Sequence, residues 1–200
     1  MRFIRILLTI PTIFATVNAT PADDMQSLEA SCENAASILN ASLNNTMGMN
    51  TSSLVQNLTW QVGASKANLP MINSTEASIS PDQADDPIRP LDSDYLEYIG
   101  SVGTLSEALV RRGRIFHQEM NLPVYDALRG FAMGVQAYGM QLRDAFMISE
   151  DAYIRTFTAG SYIVDAQSVW ANKANYPGQF RPQQGAYGRP YKVKYRLRAL

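Results

Sequence analysis

An all-α fold, an antiparallel bundle of about five helices with a disordered basic C-terminal tail, is what this sequence predicts, and three observations carry the prediction. Apolar residues recur at alternating spacings of three and four through most of the chain between Asp23 and Trp170, which places them on single helix faces. The longest such pattern, Leu122 to Met147, is apolar on two sides and so requires neighbours on both. Cys32 is the only cysteine, so no internal disulfide is available and helix packing must supply the stability.

The elements follow in order. Residues 1–19 read as a secretory signal peptide: Arg2 and Arg5, then the apolar run Ile6 to Val17, then Val17 and Ala19 before a small-residue cut. The run is short for a membrane span and is interrupted by Pro11, and no later segment reaches the ~18 apolar residues a spanning helix needs. Residues 20–67 form glycosylated N-terminal helices. Asp23 and Asp24 mark the start of the first, which carries Met25, Leu28, Cys32, Ala35 and Leu39. Thr51 or Ser52 caps the second, with Leu54, Leu58 and Val62 on one face. Residues 68–91 hold Pro70, Pro81, Pro87 and Pro90 among Ser, Asp and Asn, a pattern that forbids regular structure and predicts a long surface loop.

Residues 92–174 are the three-helix main part of the same bundle. Asp92 or Ser93 caps the third helix, whose inner face is Tyr95, Tyr98, Val102, Leu105, Leu109 and Phe116. Arg111, Arg112 and Arg114 fall in its last turns, where cations complement the helix dipole. Pro123 opens the fourth helix, with Val124, Leu128, Phe131, Val135, Tyr138 and Leu142 on one side. Ala127, Gly130, Met133, Ala137 and Met140 lie on another, and the Gly130/Gly134 pair marks close helix contact. Ser149 caps the fifth helix ahead of Glu150 and Asp151. Its apolar set is Ile154, Phe157 and Val164, with Ile163 and Trp170 on an adjacent face, and Ala159, Gly160, Ser161 and Ala166 make it thin. Residues 175–200 are rich in Pro, Gly and aromatics and end in a strict alternation of Tyr191, Val193, Tyr195 and Leu197 with Lys192, Lys194, Arg196 and Arg198.

Charge divides the chain in the same place. From Thr20 to Asn172 eighteen acids face eight cations, whereas the segment from Lys173 onward has seven cations and no acid. Glycosylation sequons are confined to the first 75 residues: Asn40, Asn44, Asn50, Asn57 and Asn73, together with Asn18, which is lost if the leader is cut after Ala19. Five acceptors there point to a secreted eukaryotic glycoprotein.

Catalytic patterns are missing. His117 is the only histidine, no second histidine or cysteine completes a zinc site, and there is no nucleophile elbow, phosphate-binding loop or dinucleotide fingerprint. The sequence therefore assigns no catalytic residue, metal or cofactor, and the chain reads as a non-enzyme without a nucleic-acid partner. What it offers is adaptable apolar surface. Leu105, Leu109 and Phe116 on the third helix are expected to line an apolar ligand space. So are Leu128, Phe131, Met133, Val135, Tyr138, Met140 and Leu142 on the fourth, and Phe157 and Val164 on the fifth. Met133, Met140 and Met147 recur every seven residues, and a thioether fits a varied ligand or an irregular core. Tyr95, Tyr98 and Tyr138 are able to set a hydroxyl beside a ligand's polar end, or to bond to backbone.

From Leu91 to Ala171 the order LDSDYLEYIGSVGTLSEAL, RRGRIFHQ, VYDALRGFAMGVQAYGMQLRDAF, SEDAY and IVDAQSVWA resembles the fungal hydrophobic-surface-binding proteins, also called cell-wall galactomannoproteins. The proline-rich loop is longer than that family's pattern, the basic tail has no counterpart there, and the last helix is more aromatic. The resemblance implies a secreted helical bundle that adsorbs to hydrophobic surfaces or holds a fatty-acid-like ligand between helices, without catalysis. The expected function is lipid or hydrophobic-surface binding in the cell wall or extracellular space. The alternative is a non-enzymatic, effector-like protein whose basic tail binds polysaccharide, membrane or a protein partner.

N-glycosidase treatment of the secreted protein is expected to increase gel mobility in discrete steps, one for each occupied site among the five. Unchanged mobility would refute the glycoprotein reading.

Overall fold

The computed structural model describes residues 20–41, 50–69, 88–115 and 119–171. The predicted leader and basic tail lie outside these residues, as do most of the proline-rich loop, Phe116 and His117, and the acceptors Asn44 and Asn73. Five helices make up the fold: α1 Pro21–Ala41, α2 Thr51–Asn68, α3 Asp92–Arg114, α4 Asn121–Asp144 and α5 Glu150–Trp170. No strand occurs among the described residues.

Local chemistry sets the boundaries. Thr20 and Asp23 form a reciprocal capping pair ahead of α1, the Asp23 N–H donating to Thr20 Oγ1 (3.2 Å) and the Thr20 N–H to Asp23 Oδ2 (2.9 Å). Pro21 occupies the first turn, where its missing N–H costs nothing. Helix α2 is capped by Asn50, not by the expected Thr51 or Ser52, because its Oδ1 accepts from the Ser53 N–H at 3.0 Å. Ser149 caps α5 as expected, accepting from the Ala152 N–H at 3.1 Å. Asp92 does not cap α3. Its carboxylate turns outward from the helix start, Oδ1 accepting from the Ser149 N–H at 2.7 Å and Oδ2 from the Arg89 N–H at 2.9 Å. Helix α4 ends in a Schellman motif: the Met147 N–H reaches Leu142 O and the Phe146 N–H reaches Arg143 O. Phe146 takes the left-handed conformation (φ 56°) that such a motif demands and that glycine usually supplies.

The helices close a ring in the order α1, α3, α5, α4, α2 and back to α1. Contacts at the ends fix directions. Gln26 reaches Asp94 and Asp92 reaches Ser149, so α1, α3 and α5 all start at one end. Trp170 Nε1 donates to Leu109 O at 3.0 Å, joining the far ends of α3 and α5. Asn68 reaches Asp24 at 3.4 Å, which runs α2 back against α1. Cβ atoms added at Gly130 and Gly134 would touch Thr59 and Val62 in turn, so α4 runs parallel to α2 at the close contact this glycine pair predicts. The close neighbours of α4 are α2 and α5, while α3 lies across the ring and meets it through long aromatic side chains.

The inner faces of α1 to α4 are buried as their periodicity predicts, including Met25, Leu28, Cys32, Val62, Tyr95, Leu105, Leu128 and Leu142. Helix α5 buries the other face. Ala152, Thr156, Ala159, Ile163, Ala166 and Trp170 point inward, whereas Ile154, Phe157 and Val164 are about half exposed or more. Small residues let α5 approach α3 closely. A Cβ at Gly113 of α3 would sit 2.8 Å from Trp170 Nε1, and on the other side of α5 one at Gly139 of α4 would sit 3.1 Å from Thr156 Oγ1 and overlap the Tyr95 hydroxyl.

Arg112 is also corrected. It is not a solvated dipole charge but fully buried, with Nη2 donating to Glu119 Oε1 at 2.8 Å. The other oxygen of Glu119 accepts from the Thr51 N–H at 2.6 Å, at the start of α2. Removing one member of a buried pair leaves the other charge uncompensated. Arg112→Ala and Glu119→Ala should each lower stability by about 3–5 kcal/mol in chemical denaturation, while Arg111→Ala, whose side chain is 54% exposed, should change it little.

Candidate functional site

The twelve expected lining residues separate into two groups. Leu105, Leu109, Leu128, Phe131, Val135, Tyr138 and Leu142 are buried in one continuous core, and Phe116 lies outside the described residues. Met133, Met140, Phe157 and Val164 are 64%, 45%, 56% and 56% exposed. They line no space between helices, which corrects the expectation of a methionine row facing inward. The cause is geometric. The edges of α4 that bear Gly130 and Gly134, and Gly139, are the edges taken by α2 and α5, and the methionines stand between them on the outer side.

The exposed residues form a surface of their own. Tyr162 and Val169 turn one flank of α5 toward Gly103 and Gly113 of α3. Phe157 and Val164 occupy the opposite flank, on the side of α4. Arg143 confirms that orientation, its guanidinium lying over the Tyr153 ring at 4.5 Å, with Tyr153 in turn edge-on to Phe157 at 5.5 Å. Met133 and Met140 from α4 and Phe157 and Val164 from α5 therefore flank one seam, with Ile154 (49% exposed) along the same side of α5. Helix α2 adds Trp60, 81% exposed, one residue beyond the Thr59 contact with α4. Scattered exposed apolar residues are ordinary; several large ones flanking one seam make this face the candidate site.

Inside the ring, three tyrosines stand edge to face. Tyr95 and Tyr98 are 6.3 Å apart between ring centres, and Tyr98 and Tyr138 are 6.2 Å apart across the ring. The Tyr95 hydroxyl bonds to Thr156 Oγ1 at 2.5 Å in the room left by Gly139. Burial pushes Tyr95 up to about 12, opposed by its bond to Thr156. Burial likewise raises Tyr98 and Tyr138 well above the ordinary value, and pushes the Cys32 thiol up to about 12. Sequence reading named these tyrosines but missed Thr156 and Gly139, because a threonine and a glycine add nothing to the pattern of large apolar residues by which the helix faces are read.

A separate groove of about 520 Å³ runs between the last turns of α3 and α5. Val110, Val169 and Tyr162 supply its apolar parts and Glu107, Arg111, Arg114 and Asp165 its charges. Among the described residues no three His, Cys, Asp or Glu side chains gather as a metal site, and no helix is long and apolar enough to cross a membrane. Of the sequon asparagines, Asn50 and Asn57 are exposed, whereas Asn40 is half-buried with its Oδ1 covered. Lys192, Lys194, Arg196 and Arg198 lie outside the described residues. In comparisons with known proteins, no family model, curated protein or solved structure matches this chain.

The raised tyrosines couple folding to alkaline pH. An unfolded tyrosine ionises near 10.0, the folded ones higher, so their contribution is complete below pH 10 and is lost as pH rises through the folded values, about 12 for Tyr95. Alkaline titration should show the three buried rings ionising together with loss of helical circular dichroism. Tyrosinate absorbance complete before any helix is lost would contradict their burial.

Proposed function

We propose that this chain is a secreted glycoprotein of the cell wall or extracellular space that binds hydrophobic surfaces and lipid assemblies, using the outward α4–α5 face in place of a hollow interior. The observation that carries this reading is the exposure of Met133, Met140, Phe157 and Val164 along one seam, in a bundle whose other described lining residues, from Leu105 to Leu142, fill the core. Each such side chain gains up to about 1.5–3 kcal/mol when it leaves water completely. Several acting together hold a protein at an apolar boundary without any shaped pocket. Methionine suits the task because its flexible thioether adapts to an irregular surface. The leader-like segment and the sequons support secretion, and the family resemblance supports the cell-wall setting and the hydrophobic target.

The seven cations after Lys173 support a second, electrostatic mode in which the tail meets an acidic polymer or membrane. One experiment separates the two. Adsorption of the full chain to polystyrene beads and to neutral phospholipid vesicles should fall at least tenfold in Met133→Lys/Phe157→Lys, with an unchanged melting temperature and little sensitivity to salt. Undiminished adsorption by that variant would sink the surface reading, and if that adsorption disappears at high salt the role passes to the tail.

A further inference from the structure

Trp60 is the most exposed large apolar side chain on any of the five helices, at 81%, and it stands apart from the four residues that carry the adsorbing seam. Two residues from both Leu58 and Val62, it lies opposite the buried face of α2. Its helical neighbours on that outer side are Ser53, Gln56, Asn57, Gly63 and Ala64, all exposed. None of them is large and apolar enough to cover an indole, and a Cβ added at Gly63 would touch nothing. An indole left bare forgoes the burial that makes this residue favourable, so the fold alone gives it no use.

Three residues earlier, Asn57 opens the glycosylation sequon Asn57-Leu58-Thr59. Residues at this spacing on a helix have Cβ atoms about 5–6 Å apart. Long helical side chains lean toward the N-terminus, over the positions three and four residues back, which for Trp60 are Asn57 and Gln56. Asn57 is exposed, so a glycan joined to its Nδ2 before α2 folds remains in water afterwards. The first sugar of such a glycan is a β-linked N-acetylglucosamine. Its ring substituents are all equatorial, so its faces present C–H groups and only its rim is polar. An indole face, electron-rich and apolar, is complementary to that surface. Asn50, the other exposed acceptor, makes an internal comparison. Its Oδ1 accepts from the Ser53 N–H at 3.0 Å and from Ser52 Oγ at 2.8 Å, which leaves Nδ2 for a glycan, but three and four residues on stand Ser53 and Leu54 and no aromatic ring.

We propose that Asn57 carries an N-linked glycan whose first N-acetylglucosamine packs on the indole of Trp60. This inference rests on the glycoprotein reading and adds to it the acceptor and the side chain that receives the sugar. Such packing withdraws Trp60 from the apolar surface and gives α2 a sugar-covered outer side, while the α4–α5 seam stays bare.

The full chain secreted from a yeast host supplies the test. It has two tryptophans, and Trp170 is buried and bonded to Leu109 O, so quenching of fluorescence by acrylamide reports on Trp60. Peptide mass spectra should show sugar on Asn57. The quenching constant of the parent protein should be roughly half that of Asn57→Gln, and Asn50→Gln should leave it unchanged. Endoglycosidase trimming to a single N-acetylglucosamine should leave it unchanged as well, because the packed sugar is retained. Loss of the Asn57 glycan should lower the melting temperature by a few degrees in the parent and not in Trp60→Ala. An unmodified Asn57 overturns the proposal, as does equal quenching with and without its glycan, or an equal melting shift in both backgrounds. Protection that vanishes on trimming overturns it too, since the outer sugars then do the shielding. Sugar on Asn50 but not on Asn57 sinks this inference alone, whereas a secreted chain free of sugar sinks the glycoprotein reading with it.

Discussion

A single carboxylate, that of Glu119, holds three parts of the chain together at one end of the bundle. One oxygen takes the buried Arg112 from the last turns of α3, and the other takes the Thr51 N–H that opens α2. Glu119 itself stands just ahead of α4. Without that carboxylate, the buried Arg112 loses the ion pair that Glu119 supplies and the first turn of α2 loses an acceptor. At the other end Asp92 plays the corresponding part, tying the starts of α3 and α5 through Ser149. Between these clamps the ring of helices can be filled with apolar and aromatic side chains alone. A chain with one cysteine has no covalent means of fixing its ends, and two carboxylates do that work by hydrogen bonds.

The architecture was legible where large apolar residues and buried positions coincide. That holds for α3 and α4, whose periods give the inner faces correctly, and for the Ser149 cap. It fails on α5, because a reading by size favours Phe157 and Val164 over Ala152, Thr156 and Ala159. Close approach of α5 to its neighbours rewards the smaller residues and leaves the larger ones outside. The methionine row shows a related limit. A repeat of seven places Met133 and Met140 on one face of α4, but only the positions of α2 and α5 decide whether that face is inside. Arg112 sits in a run of arginines that looks uniformly solvated. What distinguishes it is a carboxylate seven residues on, Glu119, just ahead of α4.

These reversals bear on function because they move the apolar surface from the inside of the bundle to its outside. A filled core with an apolar exterior seam is suited to contact with an extended boundary, where many weak contacts act together. Specificity in such contacts is low. Exposed polar residues of α4, Arg129 and Gln136 among them, interrupt its apolar outer side. The mixed-charge groove between α3 and α5 lies on the other flank of α5 and is chemically distinct, so the two flanks of this helix present different surfaces to the surroundings.

Cys32 gives the fold a reporter of its own integrity. The thiol is fully buried on α1 and burial holds it protonated, so it neither attacks nor is attacked while the ring is closed. Any copy that carries an intermolecular disulfide, a glutathione adduct or a maleimide label has therefore passed through an opened state. Counting modified Cys32 in a population measures how often α1 has parted from its neighbours, and in an oxidising compartment the same event leaves a covalent record that outlasts refolding.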